Sequence, residues 1–216
     1  MNSAELRGTL FGDLPIDHWP PGDASTSGYP WDAFADARTH IAAGAIDDAK
    51  GCWREIVGRP GLESRHYLQA WQFLREHGDR PAADAAKQVL GVVVEMASPE
   101  GLDVIAAYAD GSARYYNHAG GGIVLEHPNR RIAELINDLI ASASGVVARI
   151  GPFDGPRPGP PPPNYDRLSF LTPSGLHFGE GPIAALEADA VARPVLQGAT
   201  AVLAELTAMP GLAPDG

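Results

Sequence analysis

The sequence is poor in cysteine and in basic residues, and both shortages exclude whole classes of protein. The 216 residues include one cysteine, Cys52, so no disulfide can form within the chain and the fold depends on its core. Lysine and arginine number 16 against 27 acidic residues, which gives a net charge of −11. Because a diffuse acidic surface repels phosphate groups, we expect neither nucleic acid nor an anionic membrane as a partner.

Long apolar runs and leader-like segments are also lacking. No stretch of about 18 consecutive apolar residues occurs, so the sequence predicts no transmembrane helix. Residues 1–20 contain acids and prolines in place of a basic start followed by an apolar core, which does not predict a signal peptide. We therefore expect a protein of the bacterial cytoplasm.

Groupings of chemically reactive side chains are missing as well. The seven histidines are never spaced i, i+4, and none lies near the cysteine. Zinc needs three or four converging ligands, so we predict no metal and no cofactor. Ser174, His177 and Asp166 lie close in sequence, but the Gly-x-Ser-x-Gly turn of serine hydrolases is absent. The sequence thus predicts no catalytic residue; it leaves enzymatic activity undecided and favours its absence.

A period of 34 residues is the clearest positive feature. Gly44 and Gly78 are 34 residues apart, as are Ala49 and Ala83, and each glycine follows a segment with helical periodicity. This is the period of helical hairpins that stack into arrays. Helical periodicity predicts four helices within residues 31–90, the last of them starting at Pro81.

The residues at key positions of these hairpins resemble the tetratricopeptide family. The first hairpin supplies Ala37, Gly44, Ala49, Trp53 and Pro60, and the second supplies Tyr67, Ala70, Leu74, Gly78 and Ala83. The sequence departs from the family pattern at Trp71, where a small residue is usual, and at Lys87, where an aromatic one is. The resemblance covers about residues 31–90 and implies that the first helix of each hairpin lines a concave, partner-binding face.

Carrying the family's binding positions over residue by residue gives a candidate surface with arginines and aromatic rings. Its members are Trp31, Phe34, Arg38, Arg65, Gln72 and Arg75. Guanidinium groups bind carboxylates in a bidentate manner, so this face suits a protein or an acidic peptide. The alternative is that the arginines form salt bridges with nearby acids such as Asp32, Asp36 and Glu76.

The rest of the chain predicts an α+β domain over residues 91–208. Period-two patterns predict strands at 92–94, 102–108, 113–118 and 123–125, with a final hairpin at 168–178. Amphipathic helices over 129–143 and 195–208 are expected to cover the sheet. Residues 1–30 are predicted as an irregular arm, 155–163 as a proline-rich loop and 209–216 as a flexible tail. The predicted architecture is TPR-like helical hairpins packed on an antiparallel sheet domain covered by helices.

Two functional hypotheses follow. The first is a non-enzymatic adaptor that binds a protein or peptide through the helical hairpins. The alternative is a small-molecule sensor or an enzyme with a cleft between the helical part and the sheet, lined by Tyr115, Asn117, His118 and His177. Pairing of sheet edges could also produce a homodimer.

Overall fold

A computed structural model of the chain describes residues 3–20 and 27–209 and divides it into two compact units between Ala86 and Lys87. The flexible tail predicted at 209–216 lies outside the described residues except for Met209. Within those residues the protein combines helices with an antiparallel sheet, so the α+β class is confirmed. Each unit is described separately below.

The first unit is helical in its described part. Helix α1 spans Ser3–Phe11, a 3-10 turn spans Ile16–His18, and helices α2, α3 and α4 span Trp31–Ala42, Ile46–Gly58 and Ser64–Glu76. The connections after α2 and α3 are short, so consecutive helices pack as antiparallel neighbours. Their core gathers Trp53, Phe73 and Phe34, all at most 1% exposed, around the small residues Ala37 and Ala49.

The 34-residue period reflects a helix ending that occurs twice. Gly44 has a φ of +75° and Gly78 a φ of +87°, a left-handed conformation that glycine adopts without strain. After α2, the N–H of Ala45 bonds the carbonyl of His40 at 2.9 Å. After α4, the N–H of Asp79 bonds the carbonyl of Leu74, also at 2.9 Å. Both glycines therefore end their helices in the Schellman motif.

Two local predictions for this unit are wrong. The helix expected over residues 81–90 is absent, and residues 83–87 form only a turn before the first strand. Ala82, Ala83 and Asp84 are exposed, so this alanine-rich segment buries no apolar stripe, and helix propensity alone does not sustain a short helix. The arm expected to be irregular contains α1 instead.

The second unit contains a six-stranded antiparallel sheet in its described part. Strands β1 to β6 span Gly91–Ala97, Leu102–Tyr108, Ala113–Tyr116, Gly122–Leu125, Tyr165–Thr172 and Gly175–Pro182. Their order is β4-β3-β2-β1-β5-β6, so the predicted meander and the final hairpin form one sheet. β4 and β6 are its edges; pairing of two copies through an edge stays a prediction.

Two helices cover one face of this sheet, as the amphipathic patterns predict. These are α5, which spans Arg130–Val147, and α7, which spans Arg193–Thr207; the short helix α6 spans Ile183–Ala188. The Asn129 side chain caps α5 by accepting a hydrogen bond from the Ile132 N–H at 2.9 Å. Side chains of α5 and α7 pack on Val92, Val94 and Phe170, all at most 1% exposed, to form the main core.

The other face of the sheet carries a buried ionic cluster. Glu95 of β1 and Arg167 of β5 are paired in register, and both are buried. The Arg167 guanidinium bonds Glu180 of β6 and donates to the carbonyl of Gly159 at 2.6 Å. Arg167 thus ties the proline-rich loop to the sheet. In the described part of the chain, no helix has the length and apolar character needed to cross a membrane.

Candidate functional site

The helix surface that the resemblance assigns to partner binding is contacted by the chain's own N-terminal segment. Residues 8–20 are here called the docked segment. They comprise the last four residues of α1 and the nine residues after it, and they lie against α2 and α4. The surface that receives them, here called the hairpin face, is formed by Trp31 and Phe34 of α2 together with His66, Leu68 and Gln69 of α4.

The Gln69 side chain recognises the backbone of the docked segment. Its Oε1 accepts a hydrogen bond from the Leu14 N–H at 3.1 Å, and its Nε2 donates to the Leu14 carbonyl at 2.8 Å. A primary amide can bond both backbone groups of one residue in this way, whatever that residue's side chain. Gln69 is 0% exposed, so both hydrogen bonds form away from water.

An aromatic box receives the end of the docked segment. Trp19 is 2% exposed, and its ring centroid lies 5.1 Å from that of Trp31 and 5.6 Å from that of Phe34, the latter in an edge-to-face arrangement. His66 closes the box with its ring 4.7 Å from that of Trp31. Aromatic pairs at these separations stabilise a contact by more than the burial of their apolar area alone.

Close backbone approach brings the two surfaces together at Gly12. This residue has a φ of +63°, and a Cβ atom placed on it would lie 2.7 Å from the Cβ of Leu68. Only glycine fits both the left-handed backbone and the narrow gap. The contact therefore depends on a residue without a side chain at this position of the segment.

The predicted binding residues fall into two groups. Trp31 and Phe34 lie on the hairpin face, but Phe34 is 1% exposed and belongs to the core, so no partner reaches it while the segment is docked. Arg38 is half-buried on α2 and forms no hydrogen bond or ion pair with the residues that the structure describes.

The other three predicted residues are engaged locally on α4. Arg65 forms an ion pair with Glu63 at 2.6 Å, and Gln72 accepts a hydrogen bond from Arg75 at 2.6 Å. Burial lowers the pKa of the Arg75 guanidinium to about 10; the negative charges of Glu76 and of Asp13 in the docked segment act in the opposite direction. An acidic group of the segment therefore acts on one of the arginines that the resemblance assigns to an acidic ligand.

The alternative ligand set does not come together in the second unit. The Tyr115 hydroxyl donates to Asp103 at 2.7 Å, and His118 Nδ1 lies 2.8 Å from the same carboxylate, so these two residues form one cluster. Asn117 closes the following turn by accepting from the Gly121 N–H. His177 is buried on β6, four strand spacings or about 19 Å from β3.

The serine, histidine and aspartate that are close in sequence do not form a triad. Ser174 Oγ lies 3.3 Å from His177 Nε2, but Asp166 pairs with Gly181, four residues further along β6 than His177. Burial lowers the pKa of the fully buried His177. These side chains therefore lack the mutual geometry that serine hydrolysis requires.

Sequence reasoning missed Gln69 and His66, the residues of α4 that hold the segment. A weak signal existed for Gln69, because it interrupts the apolar stripe of α4 beside Ala70 and Phe73, and a buried amide needs partners. Its partner, Leu14, lies 55 residues away, and no local pattern points to it.

Comparison with protein-family models, with curated proteins and with solved structures finds no match to this chain. The resemblance to tetratricopeptide hairpins therefore rests on its residues and on the two helix endings described above.

Proposed function

We propose that this chain is a non-enzymatic protein-interaction protein whose hairpin face binds a peptide segment, and that its own docked segment occupies this face until a partner peptide replaces it. The ligand is a short acidic segment with apolar and aromatic anchors. Binding takes place in the bacterial cytoplasm in this proposal.

The double hydrogen bond between Gln69 and Leu14 carries the proposal. A side-chain amide that bonds both backbone groups of one residue recognises the peptide backbone and leaves specificity to neighbouring pockets. The aromatic box around Trp19 is such a pocket, and Arg75 interacts electrostatically with Asp13. The occupant thus has the chemistry that we propose for a partner.

Tethering sets how strongly a partner must compete. A segment joined to its binding site by a short linker has an effective concentration on the order of millimolar. A free peptide of equal intrinsic affinity at micromolar concentration would then occupy about one site in a thousand. A partner therefore needs higher affinity than the docked segment, or a change that weakens docking.

The experiment weakens docking without removing a core side chain. Gly12→Ala adds a methyl group where the gap to Leu68 is 2.7 Å and where a positive φ costs an alanine about 1–2 kcal/mol. A fluorescent, end-blocked peptide of residues 8–19 with the native glycine is then titrated into the full-length variant. We expect saturable binding to Gly12→Ala and much weaker binding to the unaltered protein.

Two further variants make the result specific. Gly51→Ala, on an open part of α3, should leave peptide binding at the unaltered level. Gln69→Leu added to Gly12→Ala removes both backbone hydrogen bonds and should weaken binding about tenfold or more. Equal affinity with and without Gln69, or no binding to Gly12→Ala at millimolar peptide, would contradict the proposed function.

A further inference from the structure

A small cavity in the second unit lies between the sheet and α7. Its volume is about 90 Å³, and its walls include Met96 and Ile105 from the sheet and Leu196 and Leu203 from α7. Three polar side chains, those of Asp166, Glu187 and Thr200, line it as well. The cavity is independent of the hairpin face and of the function proposed for it.

Asp166 is the unusual member of this lining. The strand register puts it on the helix-covered face of β5, between Met96 of β1 and Gly181 of β6. Asp166 is 5% exposed, and its carboxylate accepts no hydrogen bond and forms no ion pair with any residue that the structure describes. Isolated buried carboxylates are costly, because apolar surroundings replace the water that would solvate them. A cation bound in the cavity would balance the charge of this carboxylate.

The remaining polar groups suit an ammonium ion. Thr200 Oγ1 donates its proton to the Leu196 carbonyl at 2.8 Å, so towards the cavity the hydroxyl can only accept. Glu187 adds a second carboxylate at the exposed side. Three acceptors match the three N–H donors of a primary ammonium group. Arg193, which lines the neighbouring groove, donates instead to the carbonyls of Glu187 and Ala188.

The walls and the opening suit an aliphatic chain behind that ammonium group. A cavity of about 90 Å³ corresponds to roughly three water molecules, which is room for an ammonium group and a few methylenes. It adjoins an open groove along α7 that shares Glu187, Leu196 and Thr200 and continues to Gln197 and Ala204. A chain longer than the cavity can therefore extend along α7.

We propose that this cavity binds a small aliphatic primary amine, with its ammonium group on Asp166 and its methylenes against the apolar walls. The net charge of −11 raises the local concentration of cations and favours the same ligand class. A metal ion fits less well, since most of the lining consists of hydrocarbon and hard cations require six or more oxygen ligands.

The test uses the full chain and three probes of one length: 1-aminopentane, 1-pentanol and pentanoate. Binding is measured by isothermal titration calorimetry and by the shift in unfolding temperature with ligand. We expect saturable binding of the amine, with much weaker effects of the alcohol and the carboxylate. Equal binding of amine and alcohol would show an apolar cavity only and would overturn the proposal.

Matched variants locate the site. Asp166→Asn keeps the shape of the side chain and removes its charge, and it should weaken amine binding about 10- to 100-fold. Asp138→Asn, the same change on the exposed surface of α5, should have no effect. Glu187→Gln changes an exposed side chain, so it should not impair folding, and it should weaken amine binding several-fold.

The proposal fails if the amine binds Asp166→Asn as tightly as it binds the unaltered protein. It also fails if the amine gives no saturable signal with the unaltered chain. Because the peptide experiment uses other residues and another ligand, failure here leaves the function proposed for the hairpin face untouched, and the reverse holds too.

Discussion

Two aspartates on the same face of the sheet have opposite surroundings. Asp103 and Asp166 flank Met96 from neighbouring strands, so their backbones lie about 10 Å apart. Burial opposes ionisation of both. For Asp103, hydrogen bonds from Tyr115 and His118 outweigh that effect and lower its pKa, whereas burial and the charge of Glu187 raise the pKa of Asp166. One carboxylate is thus stabilised within the fold, and the other is left with its charge unmatched.

The pair of Tyr115 and Asp103 predicts a dependence of stability on pH. Burial and the hydrogen bond to Asp103 raise the pKa of Tyr115 to about 12 from an ordinary 10. The folded state therefore keeps this proton more tightly, so the stabilisation is complete below pH 10 and is lost between pH 10 and 12. Asp103 has a lowered pKa, so its ionised form stabilises the folded state at pH values above the ordinary aspartate pKa. That stabilisation is lost as the pH falls through the lowered pKa of the folded state.

Tyr115→Phe should lower the free energy of unfolding by about 1.5 kcal/mol at pH 7, because Asp103 loses a donor. The variant should also lose less stability than the unaltered protein between pH 10 and 12. Urea unfolding at a series of pH values measures both effects. Tyr116→Phe is the control, since this hydroxyl has no hydrogen-bond partner among the described residues and its loss should cost less than about 0.5 kcal/mol. Equal pH profiles for all three proteins would refute this role of Tyr115.

At the scale of elements, replacing a glycine that ends a helix should measurably lower the free energy of unfolding. Gly78→Ala places a Cβ atom on a backbone with a φ of +87° and should destabilise the protein by about 1–2 kcal/mol. Gly51→Ala, inside α3 with open space around it, should stabilise it by about 0.5–1 kcal/mol through helix propensity. Opposite signs in urea unfolding would confirm that the 34-residue period marks a backbone requirement. A neutral Gly78→Ala would contradict it.

The proline-rich loop depends on one buried arginine. Arg167→Met removes the partner of Glu95 and Glu180 and the donor to Gly159, so we expect a loss of about 3–5 kcal/mol in the free energy of unfolding. Hydrogen exchange of amides between residues 151 and 159 should accelerate in the same variant. Adding Glu95→Gln removes a stranded charge and should restore part of the stability. A cost below about 1 kcal/mol for Arg167→Met would show that the cluster is not a stabilising tie.

Sequence patterns predicted the elements whose signals are local. The strands, the capped helix α5 and the glycine-ended helices α2 and α4 all follow from residues within a few positions of one another. The helix expected to start at Pro81 is absent, because Ala82 and Ala83 are exposed and the segment buries no apolar stripe. The candidate site was beyond such patterns: Gln69 meets Leu14 across 55 residues, and Asp166 meets α7 only after the sheet has formed.

At the scale of the whole molecule, the charge of −11 acts on the two proposed ligands with opposite signs. An acidic protein attracts a cationic amine and repels a peptide of residues 8–19, whose charged side chains are Asp13 and Asp17 with His18. Salt screens both effects, since the Debye length falls to about 10 Å at 0.1 M.

Raising the salt concentration from about 0.02 to 0.15 M should therefore weaken amine binding to the unaltered protein about two- to threefold. The same change should raise the association rate of the peptide with Gly12→Ala, as measured by stopped-flow fluorescence. A peptide in which both aspartates are replaced by asparagine is the control, because its rate should vary little with salt. If salt weakened amine and peptide binding alike, the peptide would be recognised mainly through attraction between its carboxylates and the arginines of α2 and α4. Anchoring by Gln69 and the aromatic box would then contribute less than the structure implies, and the Gln69→Leu measurement would show by how much.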